Sequence, residues 1–154
     1  MIYKAPFTAI STALYSAVSA EDCPIDMDWF DSSVPIEEIE SLFRDQVEFA
    51  YGIFGTSDAD CTPNKNSAIW DASLRLEIYS NYKGRKVISD KLEALLNYLS
   101  SDAGYNAIQS NLLPFGFSLV SIRVGGLRVN FPIYSENGVW QSGSTDVVFK
   151  LNQM

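Results

Sequence analysis

The sharpest pattern in the chain is the alternation from Ala68 to Ser80. Its even positions include Trp70, Ala72, Leu74, Leu76 and Ile78, and its odd positions include Asp71, Ser73, Arg75 and Glu77. A period of two turns one set of side chains toward a core and the other toward water, so this stretch is predicted as a long strand covered on one side. Asn81-Tyr82-Lys83-Gly84 breaks the pattern. Ile88, Leu92, Leu95, Leu96 and Leu99 then recur at helical spacing and predict an amphipathic helix of about four turns.

The remaining segments are read the same way. Over residues 6–19, Ile10, Ala13, Leu14, Ala17 and Val18 form one helical stripe, with Pro6 at a position suited to a first turn. Over 24–30, Ile25, Met27 and Trp29 alternate with Asp26 and Asp28, predicting a strand with one wet face. Residues 31–45 are polar and loop-like, with a helical turn permitted over Ile36, Ile39, Leu42 and Phe43. Residues 47–54 predict a second, aromatic-rich strand. The stretch 55–67 is rich in Gly, Ser, Asp, Asn and Pro and reads as a long exposed loop or hairpin tip, and 101–114 reads as irregular, closed by Pro114. Strands are predicted over 115–124, 127–134 and 139–151, with Gly125-Gly126 and Asn137-Gly138 as hairpin turns. No repeat, low-complexity tract or linker divides the chain. The expected architecture is a single α+β domain over 1–154. It has a mixed, mostly antiparallel sheet, two amphipathic helices on one face and a C-terminal β-meander.

The Gly125-Gly126 turn carries a further expectation. A two-residue link sets Val124 against Leu127, Ile122 against Val129 and Val120 against Phe131 on one face, and Arg123 against Arg128 on the other. Like charges so placed are destabilising unless offset. Two readings stand: the arginines splay into water, or a carboxylate patch on a neighbouring copy answers them.

Composition narrows the chemistry. The 154 residues are 47% hydrophobic, 13% aromatic and 19% charged, with a net charge of −8. An acidic chain is repelled by phosphate backbones, so tight nucleic-acid binding is disfavoured; the charge is either simply a soluble acidic surface or suits a wall that DNA passes without specific binding. There is no histidine and there are two cysteines, Cys23 and Cys61. A Ser-His-Asp or Cys-His arrangement is therefore impossible, a structural zinc site lacks its ligands, and no phosphate-binding glycine motif is present. The cysteines lack a Cys-x-x-Cys spacing and read as inert packing in a reduced compartment. The first residues lack the layout of a signal peptide. No apolar run approaches the ~20 residues that cross a membrane. The expectation is a non-catalytic protein without cofactor or metal, made without export.

Asp26 and Asp28, with Asp22 or Asp31, are either hard-cation ligands or a solvated strand face. Asp58, Asp60, Asn64 and Asn66 loosely resemble a calcium loop, but Pro63 stands where the glycine belongs and the closing glutamate is absent; they are candidate loop-tip contacts. Trp29, Phe49, Tyr51, Phe54 and Trp70 read as core rather than as a ligand pocket. Tyr79, Tyr82 and Trp140 sit at element ends or on polar faces and are, with Arg123 and Arg128, candidate subunit-interface residues.

The run Leu74-Arg-Leu-Glu-Ile-Tyr-Ser-Asn-Tyr-Lys-Gly-Arg-Lys86, followed by Leu92, Leu95, Leu96 and Leu99, resembles the tail-completion, or tail-terminator-like, family of tailed phages. The opening helix with Leu14 and Val18, the stretch Phe49-Ala-Tyr-Gly-Ile-Phe-Gly55 and the turn Glu136-Asn-Gly-Val-Trp140 agree in order. The acidic segment Asp22–Asp45 departs from the pattern and fits a divergent neck ring. The resemblance implies a homo-oligomeric ring of about six or twelve copies in the virion neck or tail. Such a ring joins portal or connector to tail tube, lines a DNA passage and is assembled in the host cytoplasm. A second class is also consistent with the residues: a small acidic intracellular module that docks a basic partner, as immunity or inhibitor proteins do.

Overall fold

The computed structural model describes residues 2–42, 48–135 and 138–154. The elements run in the order α1 (Phe7–Val18), β1 (Asp28–Asp31), α2 (Ile36–Leu42), β2 (Ala50–Pro63), β3 (Ala68–Ser80), α3 (Lys86–Leu99) and α4 (Asp102–Leu112). A 3-10 turn over Leu113–Phe115 leads to β4 (Phe117–Val124), β5 (Arg128–Val129), β6 (Ile133–Ser135) and β7 (Gly138–Gln153). The sheet has the order β1-β2-β3-β7-β4, with β5 and β6 also paired to β7. It is mixed: β1 runs parallel to β2, and every other pairing is antiparallel. A parallel pair needs a crossover of a dozen or more residues, and the stretch holding α2 supplies it.

The alternation over 68–80 lands as expected. Ala68, Ala72, Leu74, Leu76, Ile78 and Ser80 are buried. They face the helices together with Val147, Phe149 and Leu151 of β7. Ile10 and Leu14 of α1, Ile88, Leu92 and Leu95 of α3, and Ile108 and Leu112 of α4 complete this core. Each buried Val, Leu, Ile or Phe among them stabilises the fold by about 1.5–3 kcal/mol through its removal from water. Three helices therefore cover one face, where two were expected. The third is α4, in the stretch 101–114 read as irregular. Ser101 caps it by accepting from the Gly104 N–H at 3.1 Å. Gly104, Ile108 and Leu112 recur every four residues and are buried.

Two other expectations are corrected. The supposed loop 55–67 is mostly strand: after a register shift between Phe54 and Ser57, β2 pairs residue for residue with β3 from Ser57 to Pro63, leaving residues 64–67 as the turn. The Asn64 N–H donates to the Ser67 carbonyl at 2.9 Å to close it. Gly125-Gly126 is not a turn. β4, β5 and β6 follow one another in the same direction along β7, from Phe117 opposite Gln153 to Ser135 opposite Gly138. The C-terminal strands thus form one long interrupted hairpin. Its last described pair is Ser135 with Gly138; Asn137 of the second predicted turn lies outside the described residues, as do Phe43 and Asp45. Gly125 is where the first arm presses on β7: its N–H donates to the Asp146 carbonyl at 2.6 Å, and an added Cβ would stand 2.9 Å from that oxygen. The first predicted strand shortens to Asp28–Asp31, although the burial alternation over Ile25–Trp29 holds.

Candidate interaction surface

Helices α1, α3 and α4 leave the other sheet face uncovered along most of β2, β3, β7 and β4. Among the described residues only one end is covered. There Ile39 of α2 is buried on Tyr51 and Ile53, with Phe30, Val34, Phe49, Tyr79 and Trp140 packed around them. Tyr51 stacks on Tyr79 with ring centroids 5.6 Å apart, and Trp140 meets Phe49 edge-on at 5.5 Å. The five aromatics grouped in the sequence are therefore split by the sheet: Trp29 and Phe54 lie in the main core with Trp70 against it, and Phe49 and Tyr51 lie on the far side. Tyr79 and Trp140 belong to this small cluster, half-buried and engaged within the chain. The Tyr79 hydroxyl donates to Glu77 at 3.1 Å. Burial first, and then the neighbouring Glu77 carboxylate, raise the pKa of the Tyr79 hydroxyl. Tyr82 is half-buried, and its N–H donates to the Ser80 hydroxyl at 3.0 Å.

The rest of the uncovered face is polar. Asp58 and Asp60 are exposed on β2, not on a loop tip. Asp58 is opposite Ser73, and Asp60 is opposite Asp71. Asn64 and Asn66 do occupy the exposed hairpin tip. Arg75 reaches the Ser144 hydroxyl at 3.2 Å and lies 3.6 Å from Glu77. Arg123 and Arg128 do not oppose each other: Arg123 is paired with Val148 and Arg128 with Ser144, and both are exposed along the outer flank.

Charge divides with the sheet. Residues 1–64, which build α1, β1, α2 and β2, hold twelve Asp and Glu against two Lys and Arg; residues 65–154 hold seven against nine. The chain's whole negative excess therefore lies in its first 64 residues. This asymmetry was readable in the sequence by splitting the charge count at the β2–β3 turn.

The stretch leading into and along β6, with the start of β7, carries several exposed apolar side chains. Phe131 just before β6 is 85% exposed and Tyr134 78%, with Ile133, Val139 and Leu127 also open. Arg85 stands over the Phe131 ring at 6.0 Å. Clustered exposed apolar residues of this kind mark contact sites.

The chemistry sought elsewhere does not converge. Asp26 and Asp28 line a crevice with Glu48, Asp90 and Lys91. The Lys91 ammonium donates there to the Asp26 carbonyl at 2.7 Å. Among the described residues no group of three or more His, Cys, Asp or Glu is arranged to hold a metal ion. Cys23 and Cys61 are both free and half-buried. Burial, and to a lesser degree Asp22, raise the Cys23 thiol above its ordinary value, while a backbone hydrogen bond at Ile25 acts the other way. A raised thiol is a poor nucleophile. Among the described residues no helix is long and apolar enough to cross a membrane.

No protein-family model matches the chain, and no curated protein matches its sequence. Its fold does match a solved structure. A chain of the virion of a native gene transfer agent particle superposes with a TM-score of 0.53 at 13% identity, covering 98% of both chains. At that identity the likeness is one of fold.

Proposed function

We propose that this chain is a non-catalytic structural subunit of a phage-like virion, assembling with copies of itself and with other virion proteins. The observation that carries the reading is the end-to-end fold likeness to a chain of a virion particle, 98% of each covered by the other. A shared substructure would cover only part of each chain. The exposed apolar side chains Phe131, Ile133, Tyr134 and Val139 and the uncovered sheet face supply surfaces that such a subunit needs. The finer reading places it in a ring of about six or twelve copies at the head–tail junction, where it caps or joins the tail tube and lets DNA pass a wall of net negative charge. Its assembly would take place in the host cytoplasm, with portal, neck or tail-tube proteins as neighbours.

Particle fractionation tests this. The chain should co-purify with intact particles in a fixed copy number, and particles made without it should accumulate as unjoined heads and tails. Its absence from particles sinks the reading. The acidic excess of residues 1–64 favours one other reading, a small protein-binding module that docks a basic partner. A one-to-one complex with a basic host or viral protein, and no particle-bound pool, would select it.

A further inference from the structure

The uncovered face is graded in charge from flank to flank. β2 presents Asp58 and Asp60; β3 presents Asp71, Arg75 and Glu77; β7 presents Asp146 and Lys150; the β4–β5 flank presents Arg123 and Arg128. The formal charge per strand therefore runs −2, −1, 0, +2 across the sheet. The two ends of this gradient hardly interact within one copy. Three inter-strand spacings separate β2 from β4, roughly 14 Å, which exceeds the Debye length of about 8 Å at physiological salt. Attraction between the ends is therefore left for neighbouring copies to use.

Resting on the structural-subunit reading, we propose that the basic β4–β5 flank of one copy docks against the acidic β2 flank of the next, head to tail. Arg123 and Arg128 face Asp58 and Asp60 across the joint. Such a heterologous contact uses two different patches on each copy, and it generates a closed ring when the rotation closes. It also supplies the counter-charge that the directly opposed Asp60 and Asp71 have on only one side, from Lys150.

Backbone pairing does not make the joint. The outer edge of β2 from Ser57 to Pro63 has no strand partner among the described residues, because β1 pairs only as far as Phe54. The outer edge of β4 is blunted. Its register shifts at Val120, the Leu119 N–H donates to Gln109 Oε1 at 2.5 Å, and the Leu119 carbonyl accepts from the Tyr105 hydroxyl at 2.7 Å. A bulged edge already capped by helix side chains resists strand addition, so side-chain charges carry the contact.

The test is charge reversal read by solution mass, with circular dichroism as the folding control. Asp58→Lys with Asp60→Lys, or Arg123→Glu with Arg128→Glu, should each weaken self-association by about tenfold or more. An equimolar mixture of the two variants, and a single chain carrying all four changes, should both reassociate into species larger than a dimer. A parent chain monomeric at every concentration, reversals without effect, or failure of both rescues would overturn the proposal. A mixture that stops at a dimer would overturn it in favour of two sheet faces packed by a two-fold axis. A chain present in particles whose assembly ignores both reversals would sink this joint and leave the structural-subunit reading standing.

Discussion

Asp60 on β2 stands directly opposite Asp71 on β3. Two carboxylates facing each other across an antiparallel ladder repel, and Lys150, opposite Asp71 on β7, offsets the pair from one side only. Replacing Asp60 with Asn should therefore stabilise the isolated chain by about 0.2–1 kcal/mol, while weakening its self-association. Urea unfolding and light scattering on the same variant check both halves. A variant less stable than the parent would show that the repulsion is already relieved within one copy.

Self-association through exposed opposite charges should fall steeply with salt. Raising the ionic strength from about 0.01 to 1 M shortens the Debye length from about 30 to 3 Å, so assembled mass should decline across that range while secondary structure is kept. Mass independent of salt would point to the apolar arm as the dominant contact.

That arm makes its own prediction. Phe131 and Tyr134 are among the most exposed side chains of the fold. Changing both to Ser should alter unfolding free energy by no more than about 0.5 kcal/mol each but should reduce incorporation into particles. Unfolding transitions and particle-bound copy number, measured side by side, test it.

Close packing of α3 on β7 depends on Gly143. A Cβ there would meet the Ile88 side chain at 2.5 Å and the Arg128 carbonyl at 2.8 Å. Backbone does not yield easily, so Gly143→Ala should cost about 1–3 kcal/mol, read as a lowered urea midpoint. An unchanged midpoint would mean that β5 does not sit as tightly on β7 as described.

Alkaline pH should loosen the aromatic end of the sheet. Burial, then Glu77, raise the Tyr79 hydroxyl above its ordinary value. The sign follows: stability is fully present below the unfolded tyrosine value of about 10 and is lost as pH rises through the higher folded value. Tyr79→Phe should flatten that loss in thermal melts between neutral and alkaline pH. Tyr98 is also raised, by burial first, so some slope remains in the variant.

What could be read from the sequence follows the strength of one-sided burial. β3 and α3 were legible nearly to the residue, because Leu74, Leu76 and Ile78, then Ile88, Leu92 and Leu95, face one core. The far half of β2 was not. Its alternating Ser57, Ala59 and Cys61 against Asp58 and Asp60 is small and polar on both faces, so a strand looks like a loop. α4 was missed because its buried stripe holds one glycine and only two aliphatic side chains, Ile108 and Leu112, and its burial against α1 is a tertiary matter. Gly125-Gly126 misled because a glycine pair signals freedom of backbone, not direction. The same two residues serve a hairpin turn or, as here, an interruption in one arm laid along β7. The interface candidates divided accordingly. Arg123 and Arg128 are exposed as expected but not opposed, Asp58 and Asp60 stand on a strand, and Tyr79 and Trp140 are held in an internal aromatic cluster.

Counting this chain in purified particles tests the central claim most directly. Quantitative mass spectrometry against a portal or tail-tube standard should return a fixed number of copies per particle matching a cyclic ring. Particles that are complete and infectious or DNA-transferring without any copy of the chain would contradict the account.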